Sequence, residues 1–267
     1  MNGITVSVDY ADLLAITLPR NAKHFGKVLV VTTEGDGDTL SVVAGIPNAE
    51  VFVTDAFYRD GADFNKGLAI EEGLDVLGRE GWLCSFDADI LIPKTWPTPP
   101  VIRGRTETLY APHRRIVSGD LLRSLVLARE LEALGLSRGE SCDWVSAIEK
   151  VLHKKAPRYN EPWEFAGAFL LWHASAPHLQ GKRPWFGTNW RHAGGYDSDF
   201  YFAWPEDKRY RLPWDVLHIG DHGQNWFGRQ TKYLDGTDPV GAAERRAKME
   251  NLAPQREREG YRPEKLP

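Results

Sequence analysis

Two carboxylates in the run Phe86-Asp87-Ala88-Asp89 are the side chains of this sequence best placed to do chemistry. They stand at i and i+2, directly after Trp82-Leu83-Cys84-Ser85-Phe86, which reads as a buried strand. Leaving such a strand, both can reach one divalent cation, Mn2+ or Mg2+, that also holds a diphosphate. A cation there neutralises the charge that develops on a departing nucleotide. A bare Asp-x-Asp most often marks only a turn. The apolar strand before it and Ile90-Leu91-Ile92-Pro93 after it favour the metal reading.

A second acidic group is Gly194-Gly195-Tyr196-Asp197-Ser198-Asp199-Phe200. A carboxylate beside a hydroxyl can take its proton as the oxygen attacks, which makes Asp197, and then Asp199, candidate general bases. The bland alternative for Asp197 is an N-cap on a helix beginning near Ser198. His218 ends the apolar run Val216-Leu217-His218-Ile219; as a metal ligand, its neutral imidazole would suit Mn2+ better than Mg2+. His222 is the alternative ligand. Arg229, in Asn225-Trp226-Phe227-Gly228-Arg229, could clamp a diphosphate from a closing loop. Trp163, Trp185 and Trp190 could stack on a sugar or a base, although tryptophan more often packs a core.

The elements that must position these groups alternate strand and helix. Gly3–Val8 reads as a strand, with Leu13, Leu14, Ile16 and Leu18 in a helix closed near Pro19. Val28–Thr33 and Glu50–Val53 are further strands. Phe64–Arg79 is an amphipathic helix with Ile70, Leu74 and Leu77 inward and Glu71, Glu72 and Asp75 opposite. Such βαβαβ order predicts an α/β fold, a mostly parallel sheet flanked by helices on both faces. Ligands then gather outside the carboxyl ends of the strands, which nominates Asp9 and Thr32 as nucleotide contacts. After the proline-rich stretch 93–100 the pattern is less regular. Leu121–Leu134 and Asp143–His153 read as helices, Gly167–Trp172 and Leu212–Ile219 as strands, and 239–267 as a helix with a charged tail.

With 267 residues, 42% of them apolar and 26% charged, the chain has the composition of a globular protein. No apolar run approaches the roughly 20 residues that span a bilayer, and no membrane-surface helix is evident. The N-terminus lacks the pattern of a secretory leader, and Cys84 and Cys142 lack metal-ligand spacing; both features predict buried thiols in a cytoplasmic protein. The net charge of −4 is unevenly spread. Residues 1–102 carry 7 basic against 15 acidic side chains, a net of −8, and residues 103–158 carry 11 against 7, a net of +4. The acidic part fits a cation site. The basic part interleaves Arg103, Arg105, Arg114, Arg115, Lys154, Lys155 and Arg158 with Tyr110 and Trp144. That mixture suits a nucleic-acid backbone or a solvated helical face. A Walker loop and a dinucleotide fingerprint are both absent, and no glycine-rich loop of nucleotidyltransferase type follows the first strand.

One longer pattern links these parts. Phe64-Asn65-Lys66-Gly67, a helix through Glu72-Gly73-Leu74, a strand, and then Phe86-Asp87-Ala88-Asp89-Ile90-Leu91-Ile92-Pro93 resembles the central block of GT-A glycosyltransferases. It is most like β-1,4-galactosyltransferases and related family 2 enzymes, with their Phe-Asn-Arg helix and Asp-Val-Asp-Leu-Ile-Pro. The resemblance implies a single Rossmann-like domain: 1–102 as nucleotide-sugar half, 103–238 as acceptor-side and catalytic half, and 239–267 as tail. It implies Asp87 on the donor ribose or metal, Asp89 as direct metal ligand, and Asn65 and Lys66 beside the donor. Lys66 stands where that family has Arg, keeping the charge without the planar fork. Gly194–Phe200 resembles the family's Gly-Gly-Glu-Asp-Asp-Asp, which implies acceptor contacts and puts the base at Asp197; Tyr196 replaces a Glu there. His218 falls where many such enzymes supply a third metal ligand. Phe165–Phe169, around Gly167, resembles a Phe-Gly-Gly segment beneath the two sugars. Together these imply a metal-dependent inverting hexosyltransferase using a nucleotide-sugar, UDP by resemblance. The acceptor hydroxyl would belong to a hydroxymethylated base of phage-type DNA, or else to a saccharide or small molecule. A nucleotidyltransferase is the competing enzyme class.

Overall fold

The computed structural model describes residues 1–93, 105–120, 122, 167–221 and 223–258. Among the described residues eight strands form one sheet: β1 (Asn2–Val6), β2 (Lys27–Thr32), β3 (Ala49–Val53), β4 (Trp82–Phe86), β5 (Ile90–Leu91), β6 (Leu109–Val117), β7 (Phe169–His173) and β8 (Arg209–Ile219). Their order across the sheet is β3-β2-β1-β4-β7-β6-β8-β5. The first four are parallel to one another. Beyond β4 the sheet is mixed: β7 is antiparallel to β4 and β6, β8 is parallel to β6, and β5 is antiparallel to β8. Strands from residues 1–102 and from residues 103–238 thus share one sheet.

Among the described residues five helices flank it: α1 (Ala11–Asn21), α2 (Gly37–Ala44), α3 (Lys66–Leu77), α4 (Tyr196–Phe202) and α5 (Ala242–Arg258). Strand β2 shows why both faces are covered. Val28 and Val30 pack with Leu14 and Leu18 of α1, while Leu29 and Val31 pack with Ile70 and Leu74 of α3. All four valines and leucines of that run are fully buried, as expected of a parallel strand between two layers. No described helix is long and apolar enough to cross a membrane.

Several expectations are corrected. Pro19 lies inside α1 rather than ending it. The last turn is held by tertiary bonds that local propensity does not encode: Thr17 Oγ1 donates to Ala88 O at 2.6 Å and Asn21 Nδ2 to Ile90 O at 2.7 Å, while Ile92 N donates to Asn21 Oδ1 at 2.9 Å. Asp36 caps α2, accepting from Thr39 N at 3.2 Å and from the hydroxyls of Thr39 and Thr32. Strand β6, which pairs with β8, was not anticipated, because Pro112 and the basic run His113-Arg114-Arg115 hide its alternation. Glu71 does not face solvent: its Oε1 accepts from Trp185 N at 2.9 Å and Phe186 N at 2.7 Å, and its Oε2 meets Arg79 at 2.7 Å. Trp185 is core, with Arg79 over its ring. Leu121–Leu134 (apart from Leu122), Asp143–His153, Cys142 and residues 259–267 lie outside the described residues.

Helix α3 approaches the 185–190 loop so closely that its second residue must lack a side chain. A Cβ on Gly67 would stand 1.8 Å from the backbone oxygen of Gly187. Gly67→Ala is expected to cost about 3 kcal/mol or more in urea unfolding, because a backbone atom must move. Gly37→Ala, at the start of α2 where a Cβ meets nothing within 4 Å, should leave stability unchanged or raise it by about 0.5 kcal/mol.

Candidate active site

The carboxyl end of β4 is the centre of the site. Backbone N–H of Asp87 donates to Ala168 O at 3.0 Å, so the strand's last residues are still paired with the segment leading into β7. The following turn is closed by Ile90 N donating to Asp87 O at 3.0 Å, and Ile219 N donates to Asp89 O at 2.9 Å. The Asp-x-Asp turn is therefore fixed by α1 on one side, β8 on another and the 167–168 segment on a third.

The two carboxylates do not converge. Asp87 Oδ1 meets the Lys66 ammonium at 2.5 Å, from the first residue of α3. Asp89 Oδ2 meets His218 Nε2 at 3.1 Å, from the end of β8. The divergence has an electrostatic cause. Two like charges in a partly desolvated turn are unfavourable, and each is lowered in energy by its own basic partner. Burial acts to raise the Asp89 carboxyl, but the His218 imidazole, with Lys66 and Arg114 beyond it, outweighs burial and holds it below the ordinary range. Burial alone would depress Lys66; the Asp87 carboxylate and the Tyr196 phenol reverse that and raise it. The ammonium also lies over the Tyr196 ring, 5.2 Å from its centroid. Burial raises Tyr196 in turn, against the pull of Lys66.

Helix α4 brings the second acidic block to the same place. Asp197 is in its first turn and is not its cap, since Gly195 occupies that position. Asp197 Oδ2 instead accepts from Gly167 N at 2.8 Å. The approach is close enough that a Cβ on Gly167 would fall 2.2 Å from that oxygen. Burial pushes the Asp197 carboxyl up, and nearby Asp87 adds to the shift while Lys66 opposes it. Asp199 is exposed and accepts from Trp190 Nε1 at 2.8 Å. The fold thus collects Lys66, Asp87, Asp89, Gly167, Tyr196, Asp197 and His218 around one turn, with Trp190 and Asp199 at its edge.

The remaining candidates are placed differently. Asn65 caps α3 through Leu68 N at 3.0 Å, and its amide donates to Thr188 O at 2.7 Å. Thr32 is buried against Asp36. Asp9, with φ of 61°, gives its N–H to Asp36 and lies 3.6 Å from Arg245 of α5; burial raises its carboxyl despite that arginine. Trp163 and His222 lie outside the described residues.

Arg229 corrects the clamp expectation. It is 1% exposed, and its N–H groups are given to both oxygens of Asp12 and to the carbonyls of Asp9, Thr231 and Lys232. Its guanidinium lies between the rings of Tyr10 and Tyr233, at 4.6 and 4.5 Å. No donor remains for a diphosphate, because a guanidinium has only five. Its loop is tied down as well: Asn225 donates to the Tyr10 hydroxyl at 2.6 Å, and Arg246 of α5 to Gln230 O at 2.9 Å. Asp12 was missed by sequence reasoning; its partner is 217 residues away and nothing local signals it.

The donor set suits a divalent cation in part. Asp89 Oδ1 is buried with no hydrogen-bond partner among the described residues, a free oxygen beside an imidazole. Such an atom is costly unless something binds it. However, no three His, Cys, Asp or Glu side chains among the described residues form a group that could hold a metal. Asp89 and His218 fit as ligands; Asp87 is held aside by Lys66.

The sequence matches no family model and no curated protein. Solved structures do resemble the fold. GalNAc-T7, solved with UDP, GalNAc and Mn2+, aligns over 87% of this chain and 45% of its own, at 14% identity and a TM-score of 0.50. Glucosyl-3-phosphoglycerate synthase from Mycobacterium tuberculosis, solved with Mn2+, UDP-glucose and phosphoglyceric acid, aligns over 84% of this chain and 71% of its own, at 12% identity and a TM-score of 0.46. The bifunctional glycosyltransferase WbbM aligns over 80% and 38%, at 13% identity and a TM-score of 0.40. The chain thus spans less than half the length of GalNAc-T7 and of WbbM.

Removing the Arg229 partner tests whether that residue is structural. Asp12→Ala would leave a buried guanidinium unpaired and should lower unfolding stability by about 3 kcal/mol, measured by denaturant titration. A change below about 0.5 kcal/mol would return Arg229 to the list of ligand contacts. By its fold, a mixed α/β sheet with eight strands and five flanking helices among the described residues, the chain resembles the part of GalNAc-T7 with which it aligns.

Proposed function

We propose that the chain is a nucleotide-sugar glycosyltransferase that works by a single inverting displacement. The observation that carries this reading is the clustering of Lys66, Asp87, Asp89, His218 and Asp197 at the carboxyl end of β4. In an open α/β sheet, that end is where a nucleotide ligand gathers. Asp197 takes the proton from the acceptor hydroxyl, whose oxygen attacks the anomeric carbon as the bond from that carbon to the diphosphate oxygen breaks. A base needs a hydrogen-bonded, oriented carboxylate, and the Gly167 N–H supplies that orientation. Lys66 offers a buried positive charge to the diphosphate. Asp89 and His218, with Asp87, are the residues that would hold Mn2+ or Mg2+, whose chemistry is to neutralise the leaving group. Asp9, Thr32 and Asn65 line the same strand and helix ends, though the side chains of Thr32 and Asn65 are spent within the fold.

UDP is the proposed nucleotide, supported by the resemblance of the Asn65–Pro93 block. For the acceptor, Tyr196, Gly167 and Trp190 border the base. Trp190 held by Asp199 offers an aromatic edge with a carboxylate beside it, a pairing suited to a sugar ring and its hydroxyls. A hydroxymethylated base in DNA is the second acceptor class, supported by the net positive charge of 103–158. Incubating the protein with UDP-sugars and Mn2+ against saccharides and hydroxymethylated DNA separates them. Salt-sensitive retention on DNA with transfer to it favours the second class. Release of pyrophosphate from a nucleoside triphosphate would instead indicate a nucleotidyltransferase.

Two variants test the roles. Asp197→Asn should bind donor normally while kcat falls by about 10²–10⁴, the range for loss of a general base. Because the Asp197 carboxyl is raised, the wild-type rate should fall as pH drops through a value above the ordinary carboxylate range, and the variant should lack that limb. Normal turnover of Asp197→Asn would pass the base role to Asp199. Asp89→Ala should abolish transfer and Mn2+ binding while circular dichroism stays native; full activity would reject Asp89 as a ligand.

A further inference from the structure

The pairing of Lys66 with Asp87 is more than a stabilising contact, because it places a fixed cation on one of the carboxylates that a metal would use. The pair is at 2.5 Å, with the lysine side chain 14% exposed and the aspartate 28%. The ammonium is held from below by the Tyr196 ring at 5.2 Å. The next carboxylate along the turn, Asp89, already has a free buried oxygen and an imidazole beside it. A divalent cation arriving alone would therefore meet two candidate ligands and, at the third, an ammonium already paired with it. A diphosphate changes this balance. It carries more negative charge than one carboxylate, and lysine is a point charge on a flexible stem that can follow it.

Resting on the nucleotide-sugar reading, we propose that Lys66 is a resident counter-charge that couples cation binding to donor binding. In the donor-free protein its ammonium occupies Asp87. The diphosphate of the donor draws the ammonium away, and the freed carboxylate joins Asp89 and His218. Lys66 is a positioning residue for Asp87 and a contact for the donor, and by linkage each ligand raises the affinity of the other.

The test measures Mn2+ binding by the loss of the free-ion paramagnetic resonance signal, and UDP binding by calorimetry with and without EDTA. Lys66→Met should bind Mn2+ alone about tenfold more tightly than wild type, within the usual range of coupling between sites. It should bind UDP in EDTA about tenfold more weakly. Lys66→Arg, which keeps the charge, should restore UDP binding in EDTA. In an Asp87→Asn background, where neither a buried charge nor its partner is stranded by the second change, Lys66→Met should no longer alter Mn2+ affinity. Unchanged or weaker Mn2+ binding by Lys66→Met overturns the proposal, as does an equal effect in the Asp87→Asn background or UDP affinity in EDTA that ignores Lys66. Failure of the wild-type chain to bind UDP in the presence of Mn2+ removes the nucleotide-sugar reading and this proposal together. UDP binding with any of the three overturning results removes this proposal alone.

Discussion

Two negative charges cannot share a desolvated turn without compensation, and much of this molecule is arranged around that constraint. Asp87 and Asp89 leave β4 two residues apart, and each is given its own basic partner from a different element: Lys66 from the start of α3, and His218 from the end of β8. The partners arrive from sequence positions on either side of the turn, so the sheet order and the packing of α3 both serve this one electrostatic requirement. Uncompensated, a buried carboxylate would stay protonated.

Holding the turn still is a separate task. The apolar core supplies bulk stability without direction, whereas the hydrogen bonds from Thr17 and Asn21 of α1 and from Ile219 of β8 fix where the turn's backbone lies. The same division recurs at the second acidic block. Helix α4 is held by Phe200 and Tyr196 in the core, but the direction of Asp197 is set by one N–H of Gly167. Close backbone approach, possible only where a Cβ is missing, is what lets three separate segments meet there. Farther out, the bonds of Arg229 to Asp12 and of Arg245 to the Arg229 carbonyl bind the 225–230 loop and α5 to the start of α1. That edge of the site is built as a rigid wall.

Sequence reading and structure part company where long-range partners decide. Pro19 suggested a helix end, because proline removes a donor and crowds the preceding turn; α1 continues since its last residues are bonded to the Asp-x-Asp turn. Glu71 had the spacing of a solvent-facing residue, yet two backbone N–H groups of the 185–186 segment and Arg79 compensate its burial. Arg229 had the type and place of a phosphate clamp, and it became a structural cation because Asp12 and three carbonyls reached it first.

What the amino-acid order determined by itself is the alternation of β1 to β4 with their helices, and the type of residue at the exit of β4. Apolar periodicity is local, and it survives any rearrangement of the rest. The same holds for the acidic block and for Asn65 as the start of α3, where the cap lies three residues from its N–H partner. Only the tertiary structure decided which carboxylate meets which base. It set Asp87 against Lys66 and Asp89 against His218, buried Arg229, and turned Asp197 toward Gly167. Those pairings join residues 21 to 217 positions apart. Charge attraction and hydrogen bonding act through space, and periodicity along the chain carries no record of what will be near in space.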